Sequence, residues 1–269
     1  ARPARTASGR PIRVLVNLDD PAALDALDPA LCDGAGLVRT EFLFEEGAPD
    51  EATQLDVYRR ILRWAAGRPV TIRTLDAGGD KPVPGLTEDD EPNPFMGLRG
   101  LRLSLARPQA FRTQLRALAR AAAGGGLKVM VPMVTIPAEL EAARAHLDGI
   151  CAELAAEGLD HARPPLGIMV ETPAAALTAE AFEADFYSIG SNDLVQYVCA
   201  AARDSAAVAP LADPQNPAVL ECVRRVIEAG RARGVEASLC GDMASRPELA
   251  ETLLGLGLET FSVEPALVG

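Results

Sequence analysis

Two apolar runs in this chain end abruptly in carboxylates. Pro165-Leu166-Gly167-Ile168-Met169-Val170 runs into Glu171-Thr172-Pro173, and Phe186-Tyr187-Ser188-Ile189-Gly190 runs into Ser191-Asn192-Asp193. Each run reads as a buried strand, so each carboxylate falls where a strand gives way to a loop or helix. In a parallel barrel the C-terminal strand ends open on one face. Glu171 and Asp193 would then converge on one hard cation, Mg²⁺ or Mn²⁺, which prefers oxygen ligands. Taken alone, each has a plainer reading: Glu171 sits at a helix N-terminus before Pro173, and Asp193 belongs to an Asn-Asp turn. Two such strand ends together favour the metal.

Four arginines are placed with similar logic. Arg39 ends Gly36-Leu37-Val38, Arg73 lies in Thr71-Ile72-Arg73-Thr74, Arg99 follows Asn93-Pro94-Phe95-Met96-Gly97-Leu98, and Arg203 follows a helix near Tyr197. A guanidinium beside apolar residues is costly without an anionic partner, and its forked donors match carboxylate and phosphate oxygens in pairs. Any one of the four is explained by a salt bridge to a nearby Asp or Glu. Four point to a small, doubly anionic ligand. Cys240 closes the apolar run before Gly241-Asp242, which puts a thiol at the same face, where it is either a reactive group or a buried one.

Composition bounds the rest. A chain of 269 residues with 48% apolar and 4% aromatic residues suits one large core, near the ~250 residues of an eight-stranded α/β barrel. A formal charge of -12 argues against general nucleic-acid binding. Five cysteines, Cys32, Cys151, Cys199, Cys222 and Cys240, show no CxxC pair, which favours reduced thiols in the cytoplasm over a disulfide framework or a zinc site. His146 and His161 read as surface residues away from the active face. No run approaches the ~18 apolar residues of a membrane span, and the basic start, residues 1–10, leads into a strand rather than an apolar signal core.

The elements that must position these groups are legible as strand-like runs at 12–18, 36–40, 70–75, 128–133, 166–171, 186–190, 235–239 and 259–263. Amphipathic helices are clearest at 51–66, 108–123, 137–157 and 217–233, three of them opened by a proline. Alternating strands and helices imply a parallel sheet with right-handed crossovers, and eight strands close a barrel, the (β/α)8 or TIM barrel. The chain stops after the eighth strand, so the expectation is a barrel truncated before its last helix. Residues 76–93, with Gly78-Gly79-Asp80, Pro82, Pro84, Gly85 and Glu88-Asp89-Asp90-Glu91, read as a substrate loop or lid over the active face.

Taken in order, six segments resemble the C-terminal phosphoenolpyruvate-binding domain of Enzyme I of the bacterial sugar phosphotransferase system. They are residues 36–44 (GLVRTEFLF), 73–81 (RTLDAGGDK), 93–99 (NPFMGLR), 167–175 (GIMVETPAA), 188–194 (SIGSNDL) and 239–241 (LCG). The resemblance covers nearly the whole chain and implies one domain over residues 1–269, a barrel of the phosphoenolpyruvate/pyruvate type. It implies that Arg39, Arg73, Arg99 and Arg203 bind the phosphate and carboxylate of phosphoenolpyruvate, with Asn192 at the phosphate, that Glu171 and Asp193 hold Mg²⁺, and that Cys240 protonates the enolate carbon as pyruvate forms. It also implies that the phosphoryl group passes to a histidine on an N-terminal domain absent from this chain and then to the carrier HPr, for sugar uptake, in a homodimer. The chain departs from the family's pattern at Asp242, where Glu is usual, and at Asn216-Pro217, where His-Pro or Ser-Pro is common. The alternatives are the corresponding domain of a pyruvate phosphate dikinase or phosphoenolpyruvate synthase, which the Gly78-Gly79-Asp80-Lys81 loop disfavours, or a non-catalytic phosphoenolpyruvate sensor.

Overall fold

The computed structural model describes residues 3–79, 81–88 and 91–268. Eight parallel strands form one closed barrel in sequence order: β1 Arg13–Leu18, β2 Ala35–Val38, β3 Val70–Arg73, β4 Leu127–Val131, β5 Leu166–Val170, β6 Tyr187–Gly190, β7 Ala237–Cys240 and β8 Thr260–Val263. The expected truncation does not leave the ring open. β8 pairs with β1 from Arg13↔Thr260 through Val16↔Val263.

The strands show why a parallel barrel reads as continuous apolar runs. In β5, Leu166, Ile168 and Val170 face outward into the large core shared with the helices, and Met169 faces inward with Leu37, Met130, Phe186 and Cys240. The same alternation sends Ile72 of β3 outward, while Arg73 reaches the cavity. Period-2 alternation thus separates two apolar environments instead of core from water. Small residues keep the interior from overfilling: a Cβ on Gly167 would stand 2.5 Å from the Phe186 ring.

Among the described residues eight α-helices sheathe the barrel: α1 Glu51–Ala65, α2 Leu101–Ala106, α3 Pro108–Ala121, α4 Pro137–Ala156, α5 Pro173–Leu177, α6 Ser191–Cys199, α7 Pro217–Arg233 and α8 Pro247–Gly255. α1 starts where the Asp50 carboxylate accepts the Thr53 N–H at 2.8 Å, and α7 where Asn216 caps Ala218 ahead of Pro217. Asn216-Pro217 therefore serves as a helix start. Between β1 and β2 the described chain has two short 3₁₀ turns, Pro21–Asp25 and Pro29–Leu31, where the alternating pattern predicts a helix. Each is opened by an aspartate ahead of a proline, and the stretch is too proline-broken to wind further.

Strand ends shift by no more than two residues from the expected bounds. Arg39 and Glu171 lie just past β2 and β5, and Cys240 is the last residue of β7 rather than the first after it. Within the expected lid, Asp80, Asp89 and Asp90 lie outside the described residues, as do the chain's first two positions and Gly269. His146 is half-buried with its ring 5.7 Å from Phe111, and His161 is half-buried with Nδ1 beside the Leu159 carbonyl, so both sit on the outer sheath. All five cysteines are free thiols.

A candidate anion-binding active site

The C-terminal strand ends surround a cavity of about 520 Å³. Arg39, Arg73, Glu171, Asn192, Asp193, Arg203 and Cys240 all line it, with Lys81, Pro82 and Val83 from the expected lid. They arrive from β2, β3, β5, β6, β7 and the loops that follow, so only closure of the barrel makes them neighbours.

Arg73, the last residue of β3, is buried, and burial alone works against its charge; Glu41 and Asp76 outweigh that and keep it firmly cationic. Its Nη2 donates to Glu41 Oε1 at 2.6 Å and its Nη1 lies 3.3 Å from Asp76 Oδ2. The rest of the fork is poorly spent: Nη1 also reaches Met169 Sδ at 3.5 Å, and Nε has no partner. Glu41 Oε2 is likewise buried without one. A guanidinium offering a donor to a thioether has capacity left for an anionic oxygen.

Arg99, expected among the ligand-binding arginines, is not among the residues lining the cavity. It is fully enclosed beneath the wall, 1% exposed, donating to Asp76 at 2.9 Å, to Asp193 at 3.2 Å and to Tyr197 Oη at 3.2 Å. Its donors are taken by these neighbours. Burial draws the Asp76 carboxyl upward, but Arg73 and Arg99 overcome that and hold it at about 2. Burial raises the Tyr197 hydroxyl to about 12, against the pull of Arg99, so it stays a neutral donor.

Glu171 stands opposite. Its Oε1 accepts the Met133 N–H at 2.7 Å, and Met133 takes a left-handed φ of 57° just beyond β4. A bulky residue rarely adopts that conformation, and here it aims an amide at a carboxylate. Burial first, then the charges of Asp193 and Asp76, pushes the Glu171 carboxyl up to about 8. A cation between Glu171 and Asp193 would remove that penalty, and two hard oxygen donors suit an ion that completes its shell with water and ligand oxygens. Among the described residues no third acidic, histidine or cysteine side chain joins them as a ready-made cage. The donor set therefore fits Mg²⁺ or Mn²⁺ held together with an anionic ligand.

The remaining groups meet at the ends of β6 and β7, where Gly190 and Cys240 are register partners. Cys240 is buried with Sγ 3.5 Å from Ser188 Oγ and 3.4 Å from the Ile189 carbonyl. Burial raises its pKa more than the Ser188 hydrogen bond lowers it. The thiol keeps its proton at neutral pH, as a proton donor must. Asn192 bonds to Asp242 at both ends of its amide. Arg39 pairs with Asp19 at the cavity mouth. Arg203 lies 3.8 Å from Asp193 and over the Phe95 ring at 5.7 Å.

Sequence reasoning missed Glu41, Asp76, Asp19 and Tyr197. The signal for two of them was present, because Glu41 and Asp76 follow β2 and β3 as Glu171 follows β5. The strand-end rule applied to two strands applies to all eight.

The whole chain, residues 1–269, matches the family model described as PEP-utilising enzyme, PEP-binding domain. Curated relatives named phosphoenolpyruvate-protein phosphotransferase are similar throughout. One from Haloferax volcanii is 46% identical over 98% of this chain and 48% of its own length, and one from Staphylococcus carnosus is 44% identical over 96% of this chain and 46% of its own. The chain spans about half the length of the curated relatives it matches. Among solved structures, a citrate lyase from Burkholderia xenovorans superposes with a TM-score of 0.56 at 18% identity, covering 95% of this chain and 74% of that one. A HpcH/HpaI aldolase/citrate lyase family protein from Burkholderia cenocepacia gives 0.55 at 16%, covering 95% and 89%. These two likenesses are of fold alone.

Proposed function

The chain belongs to the PEP-utilising enzymes through their PEP-binding domain, and from that premise we propose that its cavity binds phosphoenolpyruvate and releases pyruvate. The reading is carried by one observation: three arginines, two carboxylates suited to a divalent cation and a protonated thiol share one barrel mouth. It is supported by relatives named phosphoenolpyruvate-protein phosphotransferase.

In this reading Arg39, Arg73 and Arg203 neutralise the phosphate and carboxylate of the ligand, and Asn192 donates to a phosphate oxygen. Phosphoryl transfer needs little covalent help from the protein, only positioning and compensation of charge on the equatorial oxygens. Glu171 and Asp193 would hold Mg²⁺ or Mn²⁺, which supplies positive charge to the same oxygens. Asp193 is oriented for that by Arg99, which acts through it. The P–O bond breaks with its electron pair moving to the enol oxygen, and the phosphoryl group leaves on an incoming histidine nitrogen. The enolate carbon then takes the proton of Cys240 Sγ, giving pyruvate and a thiolate that recovers its proton from water.

This chain supplies the phosphoenolpyruvate domain, residues 1–269. The histidine belongs to an N-terminal domain of the longer parent and passes the phosphoryl group to HPr for sugar uptake, in a cytoplasmic homodimer. Among the described residues no helix is long and apolar enough to cross a membrane. Calorimetric titration tests the site: phosphoenolpyruvate should bind with Mg²⁺ or Mn²⁺ and far more weakly without. Arg73→Ala should weaken binding by ~2 to 5 kcal/mol, as when one partner of a buried charge pair is lost. Arg120→Ala, whose partner Glu51 lies on the outer sheath, should not. Metal-independent binding would refute the role of Glu171 and Asp193, and equal affinity in all three proteins would refute the anion pocket.

A further inference from the structure

The start of α6 and the turn after β7 are joined by hydrogen bonds reaching past the residues assigned above. Ser191 Oγ donates to the Cys240 carbonyl at 2.9 Å and accepts the Met243 N–H at 3.3 Å. Asn192 Oδ1 accepts the Asp242 N–H at 2.8 Å, and Asn192 Nδ2 donates to Asp242 Oδ1 at 3.0 Å. Gly241 lies between them at φ +90°, where a Cβ would stand 2.4 Å from Asn192 Oδ1 and 2.6 Å from Ser191 Oγ. Only glycine lets the start of α6 and the turn after β7 approach so closely.

This pattern determines which end of the Asn192 amide is which. A backbone N–H can only donate, so the atom facing it must be the oxygen; a carboxylate can only accept, so the atom facing it must be the nitrogen. Rotating the amide by half a turn would set donor against donor and acceptor against acceptor. We infer that Asp242 is a positioning residue that locks the Asn192 amide with its oxygen engaged at the turn and one N–H left for an anionic oxygen of the ligand. The inference rests on the proposed function, because it assigns that N–H to the phosphate. A free asparagine would present lone pairs to the anion in one of its two orientations and lose part of its affinity to the flip.

The sign of the effect separates this role from simple electrostatics. Asp242 is an exposed carboxylate near an anion site, so charge alone predicts that removing it tightens binding. Locking predicts the reverse. The 269-residue chain is titrated calorimetrically with phosphoenolpyruvate and, separately, with oxalate, each with Mg²⁺. Asp242→Ala should weaken phosphoenolpyruvate roughly tenfold, in line with a hydrogen bond to a charged group. Asp242→Asn keeps an acceptor oxygen and should stay within about threefold of the unsubstituted chain, and oxalate, which lacks the phosphate, should change less than about threefold in either. Asp242→Leu, which keeps bulk without an acceptor, repeats the truncation if Asp242→Ala does not fold. Tighter or unchanged phosphoenolpyruvate binding on truncation, no rescue by Asp242→Asn, or an equal loss for oxalate overturns the assignment. The lock is also read without ligand by hydrogen exchange of the Asn192 side-chain amide, which should be slowed and should lose that protection in Asp242→Ala. If the unsubstituted chain takes no phosphoenolpyruvate, the functional reading falls on its own, and unprotected Asn192 protons overturn the lock on theirs.

Discussion

At the scale of single residues the cavity carries both signs of charge, and how each arginine is already partnered decides what is left for a ligand. Arg99 has its donors filled by Asp76, Asp193 and Tyr197. Arg73 has donors to spare. Arg39 is the intermediate case, because its partner Asp19 is a half-exposed carboxylate that lines the same cavity. An incoming anion must displace Asp19 from Arg39 or endure its repulsion. An exposed pair of this kind contributes at most about 1 kcal/mol. Asp19→Asn is therefore expected to tighten phosphoenolpyruvate binding about two- to fivefold at low salt and less at high salt, where exposed charges are screened. Titrations at two ionic strengths check this; weaker binding in Asp19→Asn would show instead that Asp19 steers Arg39 into place.

At the scale of elements the barrel interior sets the tolerances. Outward-facing residues such as Ile168 and Val170 share a large core with helices that can yield slightly, but inward-facing ones pack against side chains of other strands. Gly167 is the sharpest case, with the Phe186 ring already where its Cβ would go. Gly167→Ala should destabilise the protein by about 1 to 3 kcal/mol through overpacking, read from urea denaturation. The cost should shrink when Phe186→Leu is added, because the two sites contact each other and their effects are not additive. A Gly167→Ala protein as stable as the parent sequence would mean the interior has more slack than its geometry shows. The same rigidity serves the site, since β6 and β7 deliver Asn192 and Cys240 from adjacent strands held in register at Gly190 and Cys240.

At the scale of the whole molecule the fold concentrates like charges at one mouth. Glu171 is buried there and faces the charges of Asp193 and Asp76, and burial first, then those charges, raises its carboxyl to about 8. A bound cation and anion would cancel much of this, so occupancy should stabilise the entire barrel. With phosphoenolpyruvate and Mg²⁺ at about 100 times the dissociation constant, the gain is about 2.7 kcal/mol, visible as a higher melting temperature. Chelating the metal should abolish that gain and leave ligand-free stability unchanged, because Glu171 and Asp193 sit at the barrel mouth, outside the closed ladder from β1 to β8. A fall in ligand-free melting temperature on chelation would instead make the metal structural.

Much of this was legible before any coordinates. Eight apolar runs separated by helical patterns suffice to specify a parallel barrel, because period-2 and period-3.6 burial are local properties of the chain. The strand-end residues Arg39, Arg73, Glu171, Asp193 and Cys240 could be named for the same reason, since a parallel barrel presents all its strand ends on one face, whereas Asn192 was named only through the family resemblance. What folding alone decided was partnership. Nothing local distinguishes Arg99, whose donors go to Asp76 and Asp193, from Arg73, which faces the cavity, because the difference lies in contacts between segments 23 to 94 positions apart. The Asn192 amide meets Asp242 from the turn after β7, and the two 3₁₀ turns between β1 and β2 show that a regular pattern does not guarantee a helix in every gap. Hydrogen bonds and ion pairs depend on ångström-scale distances across the barrel, and those distances exist only once the eighth strand has met the first.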